Sequence, residues 1–210
     1  TILNNNQQGV DLSHVFCDES AAIPIKCYSP DLIVHPFINL KEEDKGPDVA
    51  VEKVKEWLPR LHSLIIGPGL GRNPKMLSAA EGVIKACQER NMPLVLDGDC
   101  LWLLAQNPQI VFGYKNAVLT PNEMEFRRIA QKLFPSLQDP ATLTTKEMAS
   151  ALGGVTVLRK GKNDEISDGS QTVTCGFQGS ARRCGGQGDF TAGAVGTIMC
   201  WSSLSSSSSS

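Results

Sequence analysis

The sequence predicts a three-layer α/β/α protein built on a mostly parallel central sheet. Two observations carry this reading. Short runs of continuous apolar residues, such as "SLII" and "PLVL", alternate with longer amphipathic segments. Strands of that kind have both faces covered, which is the situation in parallel sheets flanked by helices. The second observation is that "GPGLG", "DGD", "TPNEMEF", "RKGKND" and "GGQGD" each follow a strand or a hairpin. In open α/β sheets ligands bind beyond the carboxyl ends of the strands, so these five loops are expected to gather at one edge.

Taken in order, "HVFC" and "DLIVHP" read as short strands near the start. "DVAVEKVKEWLPRL" (Asp48 to Leu61) places Val51, Val54 and Leu58 at helical spacing, with Asp48 as its expected cap and Pro59 marking its end. "SLIIGPGLG" is a buried strand running into glycines, and "KMLSAAEGVIKACQER" is an amphipathic helix. "PLVLDGD" is a second apolar strand ending in acids, and "CLWLLAQ" is a short helix. "NAVLTPNEMEF" gives a third strand, a break at Pro121 and a helix running to about Leu133. "VTVLRKG" is a fourth strand, and "NDEISDGSQTVTC" reads as a hairpin around Asp168-Gly169. The last element is a helix after "GGQGD", expected to begin near Asp189.

The chain has 210 residues, enough for one sizeable core. Its hydrophobic content of 41% and charged content of 20% belong to an ordinary globular protein. A formal net charge of -2 makes no basic footprint, which argues against nucleic acid or an anionic membrane as partner. No apolar run reaches the roughly 18 residues that suggest a membrane span. The seven cysteines (Cys17, Cys27, Cys87, Cys100, Cys175, Cys184 and Cys200) show no CxxC spacing and read as thiols of a reducing compartment. His14, His35 and His62 are isolated in sequence and read as packing or surface residues.

"CGGQGDFTAGAVG" (Cys184 to Gly196) crowds three glycines and an aspartate into five positions before a small-residue helix. Ordered glycine costs roughly 0.5–1 kcal/mol relative to alanine, so the cluster needs a reason. Converging amides and a helix start hold anions, and Arg182 and Arg183 just upstream add charge. No Walker motif is present, and "GPGLG" departs from the dinucleotide fingerprint. Asp189 would repel a bound phosphate. A carboxylate kept there reads as a base for an attacking hydroxyl, the alternative being a plain N-cap.

"GGQGD" followed by a small-residue helix resembles the anion hole and catalytic aspartate of the ribokinase-like superfamily. "IIGPGLGR", "VLDGDCLWLL", "VLTPNEMEFRRI", "VLRKGKNDEISDG" and "RRCGGQGDFTAG" occur in the order seen in the ATP-dependent NAD(P)H-hydrate dehydratases. The resemblance runs from about Gly9 to Trp201 and implies a ribokinase-like α/β/α fold. It implies a metabolite-repair lyase that uses ATP, or ADP in many bacterial members, to remove water from the hydrated nicotinamide ring of NADH or NADPH. Phosphorylation turns the ring hydroxyl into a good leaving group, so the products are NAD(P)H, ADP and phosphate.

The resemblance also assigns residues. Asp189 is the implied catalytic base. Gly69, Gly71, Asn122, Glu123, Met124, Glu125, Phe126, Arg127, Arg128 and Asp189 match the segments that contact the hydrate. Lys160, Gly161, Lys162, Asn163 and Asp164 match the first ATP segment. Gly179, Ser180, Ala181, Arg182, Arg183, Cys184, Gly185, Gly186, Gln187 and Gly188 match the second. Mg²⁺ is expected with ATP as a phosphate counter-ion, with no dedicated protein metal site. Asp97 and Asp99 are candidates for indirect contact or else solvated strand-end acids. The implied partners are small molecules, NAD(P)H hydrate and ATP, with a homo-oligomer also possible on this reading. The implied compartment is the cytoplasm or the mitochondrion.

The chain departs from the family pattern at several points. "DGDCLW" stands where members read "DADGLW", so Gly98 and Cys100 are expected to loosen a loop near the phosphates. Phe190 and Thr191 replace aliphatic residues after the aspartate. "TILNNNQQ" stands where the family has a glycine-rich strand and a "YTGAPY"-like segment, and a serine run stands where it has further helices. The expected organisation is an irregular segment 1–8, an incomplete dehydratase domain 9–201 and a disordered serine-rich tail 202–210. Weak stability or weak activity is the expected consequence. Two rival readings remain at this stage: another ribokinase-like small-molecule kinase, and an inactive nucleotide-binding relative.

Overall fold

Leu94, Val95 and Leu96 form a strand with no accessible side chain, and the rest of the structure is arranged around it. The computed structural model describes residues 10–39, 46–179, 182 and 184–207. Its central sheet has six strands in sequence order: β3 (Leu64–Ile66), β4 (Leu94–Leu96), β5 (Ala117–Leu119), β6 (Thr156–Arg159), β7 (Asp164–Ser167) and β8 (Thr172–Cys175). The pairs from β3 to β6 are parallel, and β7 and β8 add the expected antiparallel hairpin.

Three strands of three apolar residues hold together because the helices between them bury one face and the last helix of the chain covers the other at β3 and β4. Leu94, Leu96, Leu119 and Val157 share one core with α3 (Pro74–Glu89), α4 (Asp99–Gln106), α5 (Glu123–Leu133) and α6 (Thr145–Ala151). Each fully buried Leu or Val contributes about 1.5–3 kcal/mol. Val95 points the other way, as the pleat requires, toward α7 (Gln187–Ser207), which packs on β3 and β4 through buried Ala192 and Thr197.

The first two strands do not join this sheet. β1 (Ser13–Asp18) and β2 (Leu32–Ile38) form a separate parallel pair joined through α1 (Glu19–Tyr28). α2 (Pro47–Trp57) packs against β2 and α3 and ties the pair to the main body. His14 and His35 are not isolated here. Nδ1 of His14 lies 2.9 Å from Nε2 of His35, and Phe16, Phe37 and Trp57 pack around the pair.

Several expectations are corrected. Asp48 does not cap α2: the cap position is Gly46, Pro47 opens the helix, and Asp48 sits in the first turn facing the helix dipole. α2 ends at Trp57, and Pro59 lies in the 3₁₀ turn Leu58–Arg60 that follows. Of the tail 202–210 expected to be disordered, residues 202–207 continue α7, and 208–210 lie outside the described residues. Extending an existing helix adds a bond per residue without a new nucleus, and Ser205 Oγ donates to Ser202 O. The expectation for residues 1–8 lies outside the described residues. All seven cysteines are free.

Candidate active site

Gly67 ends β3 at φ 125°, and a Cβ there would lie 1.7 Å from the carbonyl oxygen of Asp97. Only glycine lets the β3 and β4 loops approach this closely. Gly98, the N-cap of α4 at φ 53°, faces Gly67 from the other side. Cys100 behind it is fully buried, and burial pushes its thiol up to about 12, with the nearby Asp97 adding to the effect. The expected loosening at Gly98 and Cys100 is therefore absent; the two residues are packed.

Asp97 itself is buried, and its Oδ1 accepts from Lys160 Nζ at 2.9 Å. Gly188 sits over this pair: a Cβ there would come 3.2 Å from Lys160 Nζ and 3.8 Å from Asp97 Oδ2. The amide of Lys160 donates to Pro121 O, and Asn122 bridges to Lys160 beyond the ends of β5 and β6. Asp99 accepts from the amide of Gly71 at 2.9 Å and from Arg72 Nε at 3.2 Å. All five loops thus meet at the carboxyl edge of the parallel strands.

Four of them, all but the loop after β6, line an open cleft of about 170 Å³. Its walls are Gly67, Pro68 and Gly69 after β3, Asp99 and Trp102 of α4, Glu125 and Arg128 of α5, and Asp189 of α7, with Arg72 at one side. Asp189 is the third residue of α7, in its first turn, not its N-cap. Glu125 closes a capping box with Asn122: its Oε2 accepts from the Asn122 amide, while Asn122 Oδ1 accepts from the amides of Met124 and Glu125. Burial raises the Glu125 carboxyl above its ordinary value, against the pull of that amide and of Lys160.

The "NEMEFRR" segment splits by helix geometry. Glu125 and Arg128 face the cleft, three residues apart on one side of α5. Phe126 is fully buried under the guanidinium of Arg159, whose Cζ lies 4.0 Å from the ring centroid, so its ring belongs to the core and not to the cleft. Glu123 faces away: it pairs with Arg127 and with Arg159 at 2.8 Å each. Burial alone would raise its carboxyl, but the two guanidiniums outweigh it and hold the group below its ordinary value. Met124 and Arg127 are exposed outside the cleft.

In the loop after β6, Asp164 Oδ1 accepts from the Gly161 amide, and Lys162 and Asn163 form its exposed tip. Gly179, Arg182, Cys184, Gly185, Gly186 and Gln187 are exposed. Ser180, Ala181 and Arg183 lie outside the described residues. Among the described residues no group of three or more His, Cys, Asp or Glu side chains could hold a metal ion. Sequence reasoning assigned no role to Pro68, Arg72 or Trp102. The available signals were the arginine closing "GPGLGR" and the tryptophan one helical turn after Asp99.

A sequence model of the NAD(P)H-hydrate dehydratase family matches residues 3–209. The chain belongs to the NAD(P)H-hydrate dehydratase family. It is 47% identical over 195 residues to the ATP-dependent (S)-NAD(P)H-hydrate dehydratase of Bos taurus, covering 92% of this chain and 57% of the bovine protein. It is 46% identical over 198 residues to that of Homo sapiens (93% and 55%) and 45% identical over 202 residues to that of Vitis vinifera (92% and 57%). The chain thus spans a little over half the length of these dehydratase relatives.

Among solved structures, a ribokinase-like superfamily protein from Enterococcus faecalis V583 superposes with a TM-score of 0.74 at 20% identity, covering 94% of this chain and 64% of that one. The hydroxyethylthiazole kinase of Pyrococcus horikoshii OT3 superposes with a TM-score of 0.58 at 16% identity, covering 95% and 76%. These likenesses show that the fold is ribokinase-like.

Proposed function

We propose that this chain performs ATP-dependent dehydration of hydrated NADH and NADPH, returning NAD(P)H with ADP and phosphate. The observation that carries the reading is the position of Asp189. It stands in the first turn of α7, directly after the glycines, and lines the same cleft as Glu125, Arg128 and the loop after β3. A base at that point can reach a hydroxyl while the amides of Gly185 to Gly188 face a transferring phosphoryl group. The relatives that share about 45% of its residues bear the name of this activity.

In this reading Asp189 accepts the proton of the C6 hydroxyl as its oxygen attacks the γ-phosphorus. ADP leaves, and C6 carries a phosphate ester. The ring-nitrogen lone pair then expels phosphate, and loss of the C5 proton from the resulting iminium restores the double bond. Gly69, Glu125 and Arg128 bound the hydrate in the cleft, with Asn122 fixing the start of α5. Lys160, the loop 161–164 and the glycines before Asp189 are assigned to ATP, with Lys160 held by Asp97 beneath Gly188. Mg²⁺ would be carried chiefly by the ATP phosphates, because Asp97 is engaged by Lys160 and Asp99 by Gly71 and Arg72.

Among the described residues no helix is long and apolar enough to cross a membrane. Seven free thiols suit a reducing compartment, cytoplasm or mitochondrion. The deciding experiment follows near-ultraviolet absorbance of the reduced nicotinamide with hydrated NADH, ATP and Mg²⁺. An ATP-dependent rise that Asp189→Asn lowers by about 10²–10⁴-fold supports the reading. A stable phosphorylated product with no NADH would make the protein another small-molecule kinase. Nucleotide binding without turnover would make it an inactive relative.

A further inference from the structure

Arg72 stands at the cleft with its guanidinium prepared from two sides. Its Nε donates to Asp99 Oδ1 at 3.2 Å, and its Cζ lies 5.3 Å from the ring centroid of Trp102. Both supports come from α4, three residues apart, so they share one face of the helix. The second carboxylate oxygen of Asp99 accepts from the Gly71 amide, which fixes the backbone next to Arg72. Among the described residues the guanidinium makes no other hydrogen bond, and the side chain is 55% exposed. Its two terminal amino groups are therefore available to a ligand. An arginine held through Nε and stacked on an aromatic ring is pre-organised for two parallel bonds to phosphate oxygens.

The charge in the cleft gives this a purpose. Asp99, Glu125 and Asp189 line it beside Arg72 and Arg128. A polyanionic dinucleotide would meet three carboxylates there and needs cationic contacts to offset them. We propose that Arg72, positioned by Asp99 and Trp102, reads a phosphate of the dinucleotide substrate. The inference rests on the dehydratase reading and deepens it. Two phosphates share the required chemistry: the pyrophosphate common to both hydrates, and the 2′-phosphate that only the NADPH form carries.

The test measures KM and kcat for both hydrates with wild type, Arg72→Gln, Arg72→Lys and Asp99→Asn. A parallel titration follows quenching of tryptophan fluorescence by NADH and by NADPH, with Trp102→Phe to assign the signal. Arg72→Gln should raise KM by about tenfold or more, with kcat within about twofold. Arg72→Lys should recover only part of this, since an ammonium lacks the fork. Asp99→Asn should give a smaller rise in KM. A rise for both hydrates assigns Arg72 to the pyrophosphate, and a rise for the NADPH form alone assigns it to the 2′-phosphate. Unchanged KM and unchanged titrations in folded Arg72→Gln overturn the proposal, as does a fall in kcat alone. If wild type shows no turnover, the dehydratase reading fails separately, and the titration still decides whether Arg72 binds the dinucleotide phosphate.

Discussion

Lys160 Nζ lies 2.9 Å from Asp97 Oδ1, joining the loop after β6 to the end of β4 across 63 residues of chain. The side chains retain 19% and 5% exposure. A pair this enclosed matters most when one member is lost, because the other is left charged and poorly solvated. Lys160→Met should cost about 2–3 kcal/mol, less than the 3–5 of a dry pair because lysine keeps some water. Asp97→Asn combined with Lys160→Met should regain much of that loss. Urea denaturation of wild type, Lys160→Met, Asp97→Asn and the double variant checks it, and a double variant no more stable than Lys160→Met would show that Asp97 does not depend on Lys160.

Gly67→Ala should be among the most damaging substitutions near the cleft. The new methyl would meet the Asp97 carbonyl at 1.7 Å, and φ 125° is strained for any L side chain. A loss of about 3 kcal/mol or more is expected. Gly69→Ala has positive φ but open space around it and should cost clearly less. Thermal midpoints of the two variants give the comparison.

Acid should loosen the contact between β1–β2 and α2. Burial lowers the pKa of His14 and His35 from the ordinary 6.5, and for His35 the charges of His14 and Lys26 act in the same direction. The unfolded chain then binds more protons than the folded one below pH 6.5, so stability is complete above that value and is lost as pH falls through the folded pKa values. The thermal midpoint should drop between about pH 7.5 and pH 5.5 more in wild type than in His14→Phe/His35→Phe. Parallel pH curves would exclude the pair as the cause.

Thiol labelling should follow burial. Burial pushes Cys87 and Cys100 up to about 12, and both are inaccessible, so neither should react in the native protein near pH 8. Cys27, Cys175 and Cys184 are exposed and should label readily. Cys184 immediately precedes the glycines, so ATP should slow its labelling and leave Cys27 unaffected. Peptide mass spectrometry reads each site, and equal protection of both thiols would count against ATP at this loop.

The elements that sequence reasoning found were those with a clean period or punctuation. The apolar triplets of β3, β4 and β5 and the Asp-Gly turn of the hairpin are local signals, legible without tertiary context. α1 escaped notice because "ESAAIPIKCY" carries Pro24 inside the helix and buries only Ala22. α6 also escaped notice, being only seven residues long, although the Thr144–Glu147 capping box marks its start. The cap of α2 was misplaced because an aspartate suits either an N-cap or a first turn, and Pro47 moved the start two residues earlier than an Asp48 cap allows.

By itself, the sequence determined the α/β class, the order of the loops, the family resemblance and the aspartate beside the glycines, because these depend on residue type and spacing along the chain. Tertiary structure decided which of those residues share the cleft. Helical geometry turned Glu125 and Arg128 inward while sending Phe126 to the core and Glu123 to Arg159. The approach of Gly67 to Asp97 set the spacing of two loops, and packing brought together Lys160 with Asp97 and Arg72 with Trp102. Such pairs cross tens of residues, and the space between strand ends is fixed only when the whole sheet and its helices close on one another.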